Sequence, residues 1–197
     1  MLRGLAVALS CCAALAVAHP AAAKPKAHAS KDSARPDNKT AAKPAAGSAE
    51  PTLIGQYGNW GAYVASPGGK KVCFALAKPS SSKTNPPNRP RDPAYAFVST
   101  RPAEKVKNEV SIMIGYPLKP GADSMIEIGK AKYAMYAQGD GLWIRNAAEE
   151  DRMVEAMRKG AEAVVTGVST RGTESTDVFS LKGLSQALDK VAEDCKR

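Results

Sequence analysis

Glu109-Val110-Ser111-Ile112-Met113-Ile114-Gly115-Tyr116 alternates cleanly, with Val110, Ile112, Ile114 and Tyr116 at every second position. A period of two places those four side chains on one face of an extended strand. Working outward, similar short runs recur at Leu53 to Tyr57, Trp60 to Ala65, Lys71 to Ala77 and Ala94 to Thr100. Met125 to Ile128, Lys132 to Ala137, Leu142 to Arg145, Ala163 to Ser169 and Thr176 to Ser180 follow. All are rich in β-branched, aromatic or small residues. Pro67-Gly68-Gly69, Asp140-Gly141 and Arg171-Gly172 supply turn chemistry between several of them. The pattern predicts a mainly β, α+β domain: an antiparallel β-sandwich or barrel-like sheet with two helices, one of them C-terminal.

The first helix is predicted from Asn146, a capping residue, with Glu149 at the capping-box position and Gly160 closing it after Arg158-Lys159. Met153 and Met157 are four apart, with Val154 adjacent, a stripe best read as core packing. The second helix runs from about Leu181 to Cys195, its face marked by Leu184, Leu188, Val191 and Cys195. Between strands, Lys78 to Pro93 holds five prolines and four basic residues, with no strand or helix signal. A loop of that length is commonly functional or a solvated insertion. Its Lys78, Lys83, Arg89 and Arg91 are the candidate contacts for an anionic partner.

Upstream, Arg3 precedes Leu5 to Ala18, a run of 14 uncharged residues, and Ala21-Ala22-Ala23 precedes Lys24. That order of charge, apolar core and small residues predicts a cleavable signal over residues 1–23. The run is short of the ~20 apolar residues a membrane-spanning helix needs. Cys11 and Cys12 lie too early in it for the usual lipoprotein processing pattern. Apart from three prolines, residues 24–50 have no apolar side chain larger than alanine and read as a disordered basic spacer. Asn38-Lys39-Thr40 there matches the short N-glycosylation pattern. Residues 51–197 suffice for a single globular domain, and no stretch of them is long and apolar enough to span a membrane as a helix.

The chain carries net +9; setting aside Arg3 and the spacer's net three positive charges leaves +5 on residues 51–197. Export makes an anionic envelope or cell surface a better-fitting partner than nucleic acid, and simple solubility is the other reading of so modest a charge. The two histidines, His19 and His28, both lie outside the expected domain. That removes histidine-dependent nucleophilic triads and imidazole zinc sites from its repertoire. No metal-binding, Gly-x-Gly-x-x-Gly, Walker or calcium-loop pattern appears in residues 51–197, and no cofactor is expected. Ser80-Ser81-Ser82-Lys83 spells Ser-x-x-Lys, but within the Pro-rich loop rather than at the start of a buried helix. Glu149, Glu150, Asp151 and Glu155 could supply paired carboxylates for glycoside hydrolysis. Acids in a first helical turn are equally explained by the helix dipole. Trp60 and Trp143 could stack on sugar, although a core role suits an isolated tryptophan better.

Cys73 and Cys195 remain after signal cleavage, and an oxidising compartment favours their pairing. Cys195 lies on the apolar face of the last helix, and Cys73 shares a strand face with Ala75, small enough to let that helix approach.

Gln56-Tyr57-Gly58-Asn59-Trp60, Val72-Cys73-Phe74, Phe179-Ser180-Leu181-Lys182-Gly183-Leu184, Ala187-Leu188 and the near-terminal Cys195 together resemble the invasion-associated locus B family of Gram-negative bacteria. The resemblance covers most of Thr52 to Cys195. It implies a secreted, periplasmic or outer-envelope protein, linked in some pathogens to host-cell entry. The expectation is a non-catalytic exported binding protein, with an envelope polysaccharide hydrolase or a structural periplasmic support protein as alternatives.

Overall fold

The computed structural model describes residues 50–196; the expected signal (1–23) and nearly all of the spacer (24–50) lie outside them. Eleven strands form one sheet: β1 (Thr52–Tyr57), β2 (Trp60–Ala65), β3 (Val72–Ala77), β4 (Ser81–Asn85), β5 (Tyr95–Arg101), β6 (Val106–Met113), β7 (Ser124–Ile128), β8 (Ala131–Gln138), β9 (Gly141–Trp143), β10 (Glu162–Val168) and β11 (Glu174–Ser180). Helix α1 (Ala147–Lys159) precedes β10, and α2 (Leu184–Cys195) ends the fold. The spatial order is β1-β2-β3-β5-β6-β9-β8-β7-β10-β11-β4. Every pairing between these strands is antiparallel. The sheet is not closed; β1 and β4 are its edges. Strand β8 joins two halves, pairing through Ala131–Met135 with β7 and through Tyr136–Gln138 with β9.

Alternation explains the core. Val110 and Ile112 of β6, and Ile114 just beyond it, are fully buried. The strand ends at Met113, earlier than its alternation suggested, because Gly115 turns the backbone to φ 85°. One hydrophobic cluster runs from Trp60 and Ala62 through Ile112, Ile126 and Val165 to both helices. Fully burying side chains of this size stabilises by about 1.5–3 kcal/mol each. Trp60 is enclosed, and its indole donates to the Ser180 carbonyl at 2.9 Å. Trp143 is not in this core. It is half-buried on the opposite face of β9, because Leu142 takes the inward position.

Helix α2 packs against β1, β2, β3 and β5. It lays Leu184, Ala187, Leu188 and Val191 on a sheet face made of Ala62, Cys73, Ala75, Ala77 and Ala96. Small sheet residues permit that close approach. The entry to α2 is equally tight: Gly183 sits at φ 95°, and a Cβ there would lie 1.9 Å from the Tyr57 carbonyl oxygen. At the other end Cys195 is bonded to Cys73, with Cα atoms 5.9 Å apart, within the range a disulfide bridges. Lys71 also donates to the Asp194 carbonyl at 2.6 Å, placing a cation at the helix C-terminus.

Helix α1 is capped by Asn146, whose Oδ1 accepts from the amides of Ala148 (2.9 Å) and Glu149 (3.2 Å). Met153, Val154 and Met157 are buried, as the stripe implied. Gly160 ends the helix for a reason other than a left-handed turn. Its φ is −78°, and a Cβ would crowd Ile128 at 2.8 Å and Leu181 at 3.0 Å. The Lys78–Pro93 segment also needs correction, since β4 lies inside it. Its Ser-Ser-Lys-Thr-Asn sequence carries no apolar alternation, yet its backbone pairs with β11 as a polar edge strand.

Removing the disulfide by Cys195→Ser is expected to lower unfolding free energy by about 2–5 kcal/mol, read by urea denaturation. Glu150 gives a second test. Its carboxylate accepts the Val110 amide at 2.7 Å, while burial, with Glu109 and Asp151 nearby, raises its pKa above the ordinary value. The folded chain thus takes up this proton at a higher pH than the unfolded chain, so the Glu150 contribution falls as pH rises from about 4.3 through the raised value. Glu150→Gln should therefore compare better with the parent at pH 7 than at pH 4 in the same denaturation experiment. The opposite ordering would refute the assignment.

Candidate anion-binding cleft

The Lys78–Pro93 segment is anchored by one side chain. Arg91 reaches inward, donating from Nη1 to the Ile114 carbonyl (2.8 Å) and to Asp177 Oδ2 (2.8 Å), and from Nη2 to Asp177 Oδ1. Asp177 is fully buried on β11, between the inward Ser175 and Phe179. It also accepts from the Ser82 hydroxyl at 2.6 Å, which ties β4 to the same pair. The hydrogen bonds to Asp177 hold the Arg91 guanidinium above its usual pKa, against the opposing effect of burial. Arg91 lies over the Tyr116 ring at 5.9 Å. Burial raises the Tyr116 pKa, and its phenol oxygen stands 2.7 Å from Ser175 Oγ and 3.1 Å from the Gly167 carbonyl.

Backbone contacts complete the frame. The Asp92 amide donates to the Gly115 carbonyl at 2.9 Å. Any side chain at Gly115 would drive a Cβ to 2.0 Å from the Asp92 carbonyl oxygen. Across the gap, the amides of Thr170 and Lys119 donate to Pro117 (3.0 Å) and Val168 (2.8 Å). The Ser169 hydroxyl oxygen accepts from the Arg171 and Thr173 amides at 3.2 and 3.0 Å. The proline segment and the β10–β11 turn thereby face each other over an open cleft of about 1090 Å³. Arg89, Arg91 and Arg171 line it, with Asp92 as its one carboxylate and Pro86, Pro90 and Pro117 as apolar walls.

The four basic residues expected from sequence divide. Lys83, Arg89 and Arg91 come together, lining an adjoining depression of about 370 Å³ beside the main cleft. Arg91 is committed to Asp177. Arg89 is exposed, and none of its side-chain atoms bonds within the described residues. Lys78 lies apart, over the Tyr95 ring at 5.6 Å. The sequence reading missed Arg171, exposed at the turn with its guanidinium likewise unbonded among the described residues. It also missed Asp177, although an acid in an inward strand register calls for a buried cation. The acidic α1 residues do not gather across the cleft. Glu150 is held by Val110, and Glu155 lies 3.8 Å from Lys159 on the same helix. Ser80 of the Ser-x-x-Lys stretch donates to the Val178 carbonyl at 2.9 Å. No group of three or more metal-ligating side chains occurs among the described residues.

Breaking the buried pair from one side leaves an unpaired guanidinium, so Asp177→Ala should cost about 3–5 kcal/mol. Arg91→Met combined with Asp177→Leu should cost less than Asp177→Ala alone, because no charge is then stranded. Urea unfolding of the three proteins measures the difference.

Residues 60–192 match the family described as Invasion associated locus B (IalB) protein. No curated protein and no solved structure gives a significant match. The family match spans more than half of the chain and includes strands β2 to β11, both helices' packed faces and the cleft. The chain belongs to the invasion-associated locus B family.

Proposed function

We propose that this chain is an exported, non-catalytic binding protein of the envelope or the secreted fraction, engaging an anionic surface component through the Arg89–Arg171 cleft. The observation that carries the reading is that Arg89 and Arg171, whose guanidinium groups make no bond among the described residues, both line one open cleft. An arginine fork matches phosphate, sulfate or carboxylate oxygens in two-point contact. The Arg91–Asp177 pair holds the loop that presents Arg89, so part of the ordering cost of binding is met before a ligand arrives. The non-catalytic part rests on chemistry: acid–base glycoside cleavage uses two carboxylates, and the cleft lining contains only Asp92. The export part rests on the disulfide, which persists in oxidising compartments, and on family membership. A role in contact with host cells is the finer form of the same proposal.

Dextran sulfate serves as a defined polyanion probe. The parent chain should bind it in a salt-sensitive manner. Arg89→Ser with Arg171→Ser should weaken binding by roughly 100-fold, from about 1.5 kcal/mol per charged hydrogen bond lost. Circular dichroism of the double variant controls for folding. Binding unchanged in a folded double variant would sink the proposal. Retention of an envelope component by the parent and not by the variant would supply the natural ligand.

A further inference from the structure

The sheet carries a second apolar face, opposite the helices. Directly paired residues share a face, which lets it be traced strand by strand. Leu53 opposes Tyr63, and Tyr63 opposes Phe74. Leu76 opposes Phe97, Tyr95 opposes Met113, and Trp143 opposes Tyr136. The row crosses seven neighbouring strands from β1 to β8. Its rings interlock: Tyr63 stacks on Phe74 at 5.4 Å, Phe74 meets Phe97 at 5.8 Å, and Tyr136 meets Trp143 at 6.1 Å. Most of these side chains are half-buried. Leu53, the one exposed large hydrophobic among the described residues, lies at the end of the row.

We propose that this face is the contact surface for a second copy of the chain, packed sheet against sheet about a two-fold axis. Four observations support that occupant. Strands β3 and β5 are apolar on both sides, a pattern of strands covered on both faces, and the two helices cover only the inner one. The outer rings of β2, β3 and β5 pack on one another at 5.4 and 5.8 Å, and stacked sheets meet face to face about 10 Å apart. Its charges sit over rings or in pairs: Lys78 covers Tyr95, Arg145 lies 4.4 Å from the Tyr136 centroid, and Arg101 pairs with Glu109 at 2.8 Å. An uncharged centre suits a like copy better than a polyanion. The face also has a knob and a recess, as a two-fold contact requires. Leu53 is about half exposed, and a depression of about 340 Å³ lies beside Gly61, Tyr63 and Leu76, with Gln56, Asn59 and Lys78 also lining it.

The area is adequate. Seven strands spaced by about 4.8 Å span roughly 29 Å, and an average length of about six residues, with β9 shorter, gives roughly 20 Å. The projected patch of roughly 600 Å² underestimates the accessible surface of standing side chains, and stable interfaces bury about 800 Å² per partner.

Light scattering of the intact chain from about 1 µM to about 1 mM should show a monomer passing to a dimer. Met113→Lys in the middle of the face and Leu53→Asp at its exposed end should each raise the dissociation constant, by roughly 30-fold for the former. Leu53→Asp touches no core residue, so it remains informative if Met113→Lys fails to fold. A monomer at every concentration overturns the proposal. A dimer unaffected by folded variants at both positions overturns it too, by placing the contact elsewhere. Monomeric chain that instead binds phospholipid vesicles through these residues would give the face to a membrane.

Discussion

Helix α2 can lie as close to the sheet as it does because the residues beneath it are small. Ala62, Cys73, Ala75, Ala77 and Ala96 leave room for Leu184, Ala187, Leu188 and Val191. Larger inward residues would push the helix away and pull Cys195 out of reach of Cys73. The same spacing dictates that Gly183 meet the Tyr57 carbonyl without a side chain. Small residues inside also shift bulk outward. Apart from Trp60, strands β2, β3 and β5 carry their aromatic rings on the far side, where Phe74 packs on both Tyr63 and Phe97. The outer face is thus the complement of a close helix contact.

The other half of the molecule is organised by charge. Desolvating Arg91 and Asp177 is costly, and the arrangement persists because both carboxylate oxygens and both guanidinium ends have partners. A pair so enclosed contributes more to the shape of the proline segment than to net stability. It fixes where Arg89 stands, and the turn bonds of Ser169 fix Arg171 opposite. The cleft's electrostatic character comes from Arg89 and Arg171, the two cations lining it that make no side-chain bond among the described residues.

Much of the fold was legible because alternation and capping act over a few residues. The predicted Trp60–Ala65 strand and the Asn146 cap match the structure, and the disulfide follows from two local patterns and a compartment. Strand β4 was not legible, since an edge strand held by backbone bonds to β11 needs no apolar face of its own. Gly160 was read as a helix-ending residue from its place after Arg158-Lys159, whereas its role is set by Ile128 and Leu181, distant in sequence. The basic loop was legible as a candidate site, but its internal division was not. Whether an arginine points to Asp177 or to solvent depends on β4, β6 and β11 meeting, which no local pattern encodes. Arg171 joins Arg89 for the same reason.

The Cys73–Cys195 bond also closes the chain into a ring. The ring runs from Cys73 in β3 to Cys195 at the end of α2, and among the described strands β1 and β2 lie outside it. Both loops that frame the cleft are inside the ring. A protease that nicks the exposed proline segment or the Arg171 turn would therefore leave one covalent molecule, with the severed ends held in place by the sheet. A cut before Val72 has no such safeguard, because the strands on its N-terminal side are retained by packing and hydrogen bonds alone.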